Sequence, residues 1–210
     1  MQRPLRPEFS KFQGASPREG TAGGGHSVGS PAVIPEDLVP PDCPYPIALG
    51  IDPGTRRTGW GALLLVPQTP RFVACGVLDL PARASVAVRL GKLLEELEQM
   101  LSRLRPSWVA LEGAFSARNV QSALRIGEAR GVVLGAVARR GIRIQEISPA
   151  AAKKAVIGHG GASKEQVARM MARLLEIELE GMADDATDAL ALAWSVAQRL
   201  RFEERVSSGI

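Results

Sequence analysis

The chain of 210 residues predicts an α/β domain, a five-stranded mixed sheet flanked by helices, on three observations. Three short apolar segments follow one another between residues 46 and 78 with only turn-length connections, which favours antiparallel pairing. Later apolar segments alternate with helix-patterned stretches, which favours parallel pairing through helical crossovers. The first 45 residues follow neither pattern and hold 8 of the 15 prolines and 6 of the 22 glycines. Such a stretch buries too little apolar surface to offset its ordering entropy, so 1–45 reads as a disordered Gly/Pro-rich extension. The remainder suits a single domain with a full core over 46–202, closed by a short tail at 203–210.

Order is expected from Pro46. Ile47-Ala48-Leu49-Gly50-Ile51 is a strand, ended by the turn Asp52-Pro53-Gly54. Residues 58–66 and 71–78 give two more strands, with Pro67 and Pro70 in their connection. Between 82 and 104, Leu90, Leu94, Leu97, Leu101 and Leu104 recur at steps of four and three, the spacing of an amphipathic helix. Trp108-Val109-Ala110-Leu111 forms a buried strand with Glu112 at its end. A helix over 120–139, a strand over 142–147 and a short helix after Pro149 follow. A Gly-rich loop at 158–161 then leads to helices at 163–177 and 184–202.

Composition excludes several classes. The chain is too short for a large multi-lobed enzyme and has no apolar run near the roughly 18–20 residues that span a bilayer. The N-terminal arginines precede no hydrophobic segment of the kind a secretory signal needs. Cys43 and Cys75 are too few for a disulfide scaffold and lie in no Cys/His cluster, which reads as a reduced, cytoplasmic protein. Residues 46–210 carry 22 basic and 17 acidic side chains, a net +5 that points only weakly to an anionic partner.

The carboxylates are more informative. Asp52 and Glu112 each terminate an apolar strand, where α/β sheets place their ligands. An Asp before Pro-Gly also serves as a plain turn residue, but two acids at the ends of two strands of one sheet are harder to account for that way. Asp185 and Asp188 lie three apart at the start of the last helix and share one face, although acids in a first helical turn are also favoured by the helix dipole. The run Ala189-Leu190-Ala191-Leu192-Ala193-Trp194 would bury that helix against the sheet and carry both acids towards the strand ends. Four converging carboxylates repel unless cations neutralise them. An oxygen-only donor set suits Mg²⁺, with Mn²⁺ as substitute, and two such ions support hydrolytic phosphoryl transfer.

The surroundings suit a phosphodiester. From Arg118 to Arg173 there are eleven Lys and Arg residues against three acids, Glu128, Glu146 and Glu165. Such a basic run is often only a solvated face, but this one adjoins the acids. Lys153, Lys154 and Lys164 flank Gly158-His159-Gly160-Gly161, whose backbone amides suit phosphate. Phe115, with Arg118 and Asn119 nearby, either docks on the core or stacks against a base. Gly127, Gly131 and Gly135 form a smooth stripe on one helix, for close approach either to the sheet or to another subunit.

Together these blocks resemble the RuvC-type Holliday junction resolvases, metal-dependent nucleases of RNase H-like fold. The likeness rests on Gly50-Ile51-Asp52-Pro53-Gly54 with Thr58-Gly59, Leu111-Glu112 with Phe115 and Asn119, and Ser122-Ala123-Leu124-Arg125-Ile126-Gly127-Glu128-Ala129-Arg130-Gly131. It continues through Ser148-Pro149, Lys153, Lys164-Glu165-Gln166-Val167 and Asp185-Ala186-Thr187-Asp188-Ala189-Leu190-Ala191. The resemblance implies metal-binding catalytic acids at Asp52, Glu112, Asp185 and Asp188, with Asp185 preferred over Asp184 by the motif. It implies catalytic and DNA-contacting lysines at Lys153 and Lys164, and base stacking by Phe115. It also implies a homodimer formed through the glycine-striped helix, four-way junction DNA as substrate, symmetric nicks with 5′-phosphate and 3′-hydroxyl ends, and association with the RuvA-RuvB branch-migration complex. The extension at 1–45 departs from the family pattern, and Glu176, Glu178 and Glu180 add negative charge near the site. Alternatives are a non-catalytic junction-binding dimer, a RuvC-related nuclease acting on RNA, and an actin-like ATPase. For the last, the chain has neither the second domain nor an adenosine site.

Overall fold

The computed structural model describes residues 38–40, 42–113, 120–178 and 182–207. Five strands, β1 (Ile47–Asp52), β2 (Arg57–Leu64), β3 (Arg71–Asp79), β4 (Trp108–Glu112) and β5 (Arg143–Ile147), form one sheet in the order β3-β2-β1-β4-β5. β1 pairs antiparallel with β2 and β2 with β3, whereas β1–β4 and β4–β5 are parallel. The mixed sheet has its antiparallel half first, because the first connections are turns and the later ones are helices.

The pleat divides the core in two. Ile47, Leu49 and Ile51 of β1 and Val109 and Leu111 of β4 face one side, packing with α1 (Val86–Leu104) and α2 (Val120–Arg139). Ala48 and Ala110 face the other side, covered by α3 (Pro149–Ile157), α4 (Lys164–Leu175) and α5 (Asp184–Ser207). By the same alternation Asp52 and Glu112 point to the α5 side. The helix starts are explained locally. Ser85, Ser148 and Ser163 cap α1, α3 and α4 through their hydroxyls, and Ser163 and Gln166 form a reciprocal capping box.

What seats α5 is the absence of side chains beneath it. A Cβ on Gly50 or Gly59 would come closer than 3.0 Å to the backbone of Ala189 or Asp185 respectively. The helix answers with Ala186, Ala189, Ala191, Ala193 and Ala197, all buried. Trp194 Nε1 donates to the carbonyl of Ala155 at 3.2 Å and ties α5 to α3.

Two expectations change. Packing begins before Pro46: Val39 is buried in the core, and Leu38, Cys43 and Tyr45 pack against it. A few apolar residues among prolines suffice there because the edge of an existing core receives them. Nor does the last helix end at 202: α5 runs to Ser207, into the stretch expected as a tail. Among the described residues no helix is long and apolar enough to cross a membrane.

Candidate active site

The site lies where β1 and β4 end under the first turn of α5. Ile51 is paired with Leu111 in the parallel register, so Asp52 and Glu112, the next residues, emerge side by side. Asp52 also pairs with Gly59, and Gly59 is the seat of Asp185. The strand end and the helix start are therefore brought together by one residue that has no side chain. The turn between β1 and β2 is held by the buried Thr58, whose hydroxyl donates to the Gly54 carbonyl at 3.0 Å and accepts from the Gly54 amide at 3.2 Å.

Electrostatics registers the convergence. Burial first, then the charges of Glu112, Asp188 and Asp185, push the Asp52 carboxyl up to about 7, against a smaller opposing effect of Lys164. Burial and the Asp188 charge also raise Glu112, while its hydrogen bond with Asp52 and the cations Lys164 and Arg130 work the other way. Burial and the neighbouring charges therefore favour the neutral form of Asp52 up to about 7, beside Glu112.

Cations of the chain cover the outer acids. Lys164 Nζ lies 2.6 Å from Asp188 Oδ2, and this hydrogen bond, partly offset by desolvation, raises the ammonium above its ordinary range. Arg57 lies 3.2 Å from Asp185 Oδ2 and 3.2 Å from Asp79 Oδ1, bridging β3 to α5. Among the described residues no group of three or more His, Cys, Asp or Glu side chains is drawn in tightly enough to hold a metal ion as it stands. The donor chemistry nevertheless fits a hard divalent cation: carboxylate oxygens alone, with like-charge crowding on Asp52 that such a cation would relieve.

The expected residues divide into three groups. Lys164 and Asp188 are in direct contact, and Asp52, Glu112, Asp185, Asp188 and Lys164 lie close enough for their charges to act on Asp52 or Glu112. Lys153 donates to the Ala162 carbonyl at 2.7 Å, bracing the loop between α3 and α4, and Lys154 is exposed beside it. Phe115, Arg118 and Asn119 lie outside the described residues. The glycine stripe has a definite orientation: a Cβ added at Gly127, Gly131 or Gly135 would meet nothing within 4 Å, so the stripe faces away from the sheet. Val120 and Leu124, 86% and 60% exposed, continue the same helical face.

Two site residues escaped the sequence reading. Arg57 has no local signal; only the β2–β3 register, in which it pairs with Asp79, reveals it. Arg130 sits in a recognised block of residues but carried no assigned task, and it reaches the carbonyl of Glu112.

Comparison with known proteins agrees with this geometry. Residues 48–195 match the family model described as crossover junction endodeoxyribonuclease RuvC. The crossover junction endodeoxyribonuclease RuvC of Pelodictyon phaeoclathratiforme is 43% identical over 147 residues, which cover 70% of this chain and 77% of that protein. A structure of Thermus thermophilus RuvC superposes with a TM-score of 0.69 at 30% identity, covering 75% of this chain and 96% of that one. The same protein in complex with a Holliday junction substrate gives 0.67 at 28% identity, with the same coverage.

Proposed function

The chain belongs to the RuvC family of crossover junction endodeoxyribonucleases, and from that premise we propose that Asp52, Glu112, Asp185 and Asp188 form its metal-dependent cutting site. The protein is a Holliday junction-resolving endodeoxyribonuclease of RNase H-like fold that needs a metal for its chemistry. The observation that carries the site assignment is the meeting of two acids on adjacent strand ends with two acids of the α5 start, strongly enough to raise Asp52.

Asp52 and Glu112 hold the inner position, and Asp185 and Asp188 the outer one. A bound divalent cation would favour the ionised form of Asp52 and so make Asp52 and Glu112 full donors. With Asp188 engaged by a cation, the Lys164 ammonium would be free to meet the phosphate. When bound, Mg²⁺, or Mn²⁺ in its stead, in two ions per site, supplies Lewis-acid polarisation of the phosphodiester and activation of water. Lys153 and Lys154, with Phe115, Arg118 and Asn119 on the segment after β4, contact the DNA, and Lys153 also braces the adjoining loop. The products carry 5′-phosphate and 3′-hydroxyl ends.

The outward stripe of Val120, Leu124, Gly127, Gly131 and Gly135 supports a homodimer through α2, which supplies two sites for paired nicks. Gly131→Leu is expected to shift the protein from dimer to monomer at micromolar concentration in sedimentation velocity. A dimer that survives this change would move the interface elsewhere. RuvA-RuvB is the proposed partner of the complex with DNA.

The test of the substrate uses a synthetic four-way junction, a linear duplex and a structured RNA, each with Mg²⁺ or EDTA. Symmetric nicks in the junction alone, and only with Mg²⁺, are expected; cutting of the RNA alone, or cutting that persists in EDTA, would overturn the reading. Junction affinity is also expected to fall at least about tenfold between 50 and 200 mM salt, the loss that two neutralised phosphates already produce.

A further inference from the structure

Arg130 lies on α2, on the opposite side of the sheet from the acids, yet its side chain is only 12% exposed. One guanidinium nitrogen donates to the backbone carbonyl of Glu112, and the other lies 2.6 Å from Glu146 Oε1. The pleat accounts for this. Glu146 pairs with Leu111, which faces α2, so Glu146 turns to α2 while the Glu112 side chain turns to α5. Arg130 thus reaches round the end of β4 and grips the backbone of a residue whose carboxylate works on the far face.

We propose that Arg130 is a positioning residue for the metal centre, fixing the height and rotation of Glu112 by clamping the end of β4 to β5 and α2. The inference rests on Glu112 being a metal donor, as assigned above. The clamp has a second component: the Gly113 amide donates to the Ile147 carbonyl at 2.8 Å, and a Cβ on Gly113 would stand 3.1 Å from that of Glu146. The peptide unit between Glu112 and Gly113 is therefore held at both of its polar groups, at the point where the chain leaves the sheet.

A purely structural ion pair accounts for less of this arrangement. Glu146 is 54% exposed, and pairs with such a partner contribute little to stability. The charge-assisted bond to the Glu112 carbonyl is the one sheltered from water. Its geometry also requires arginine, because a planar fork serves two acceptors at once and a lysine ammonium on a flexible stem does not. Hydrogen bonds that orient metal donors typically set metal affinity by 10–100-fold.

The experiment compares the wild type with Arg130→Lys, Arg130→Gln and the control Arg140→Ala, which removes an ion pair between the residue after α2 and Glu98 of α1. Mn²⁺ binding to the protein without DNA is read by the electron-spin resonance signal of free Mn²⁺. Thermal melting and the Mg²⁺ dependence of single-turnover junction cutting are measured alongside. Both Arg130 variants are expected to bind Mn²⁺ about 10–100-fold more weakly, with cutting recovered in large part at saturating Mg²⁺. Arg140→Ala is expected to lower the melting temperature without moving the Mn²⁺ midpoint. If Arg130→Gln fails to fold, Arg130→Lys carries the comparison. Unchanged Mn²⁺ affinity in folded Arg130→Lys would overturn the positioning role while leaving the site assignment intact. Mn²⁺ binding insensitive to Asp52→Asn would instead overturn the site assignment itself.

Discussion

Asp52→Asn is expected to reduce metal-dependent junction cutting on the order of 10³-fold while making the metal-free protein more stable above neutral pH. The first effect follows from removing a donor at the centre of the cluster, where Lewis-acid stabilisation contributes several kcal/mol. The second follows from the raised carboxyl. The folded-state value of about 7 lies well above the ordinary carboxyl value of 3.8. Between those values the native protein keeps a proton that the unfolded chain has released, so its stability falls as pH rises through that window. The full shift sets an upper bound of about 4 kcal/mol, and screening around a partly exposed group lowers this to about 1–2 kcal/mol. Asparagine has no proton to lose. In EDTA the variant should melt about 2–8 °C above wild type near pH 7.5, and the gap should shrink towards pH 4. A gap that is constant with pH, or reversed in sign, would contradict the convergence of charge on Asp52.

Gly59→Ala is expected to lower cutting about 10²-fold although it alters no catalytic group. The new Cβ would run into the backbone carbonyl of Asp185, so α5 must lift from the end of β2. Overpacking of this kind costs about 1–3 kcal/mol. A displacement of about 1 Å in a reacting group costs on the order of 10²-fold in rate. Urea unfolding and single-turnover cutting at saturating Mg²⁺ measure the two effects separately. Gly91→Ala on α1 is the natural contrast, because the space beside it is open, and alanine there favours the helix by about 1 kcal/mol. Cutting by Gly59→Ala within twofold of wild type would mean that the seat of α5 does not align the acids.

Most of the architecture is legible from the order of short and long connections, because these decide which strands run antiparallel. The principal acids are legible too. An apolar strand that ends abruptly in Asp52 or Glu112 has only one place to put that charge, the rim of the sheet. The Ala-rich run after Asp188 is legible as a buried helix, since small residues in series permit close approach to a sheet.

Pairings that depend on pleat parity escape the sequence. Arg130 resembles any surface base on a helix until the register of Glu146 with Leu111 places an acid on its own side. Arg57 faces Asp79 only through the antiparallel register and Asp185 only through the close seat of α5. The bond of Lys153 to the Ala162 carbonyl escapes likewise, since it depends on how the loop between α3 and α4 folds back. The docking of Val39 escapes for another reason, since one apolar residue among prolines carries no period.

The central claim is that these four carboxylates hold the cation. Calorimetric titration of Mg²⁺ into wild type and Asp52→Asn near pH 6.5, in two buffers of different protonation enthalpy, tests it most directly. Wild type is expected to bind with release of a proton, and Asp52→Asn to lose both the proton release and most of the affinity. Equal affinity in the two proteins, with no proton released by either, would contradict it.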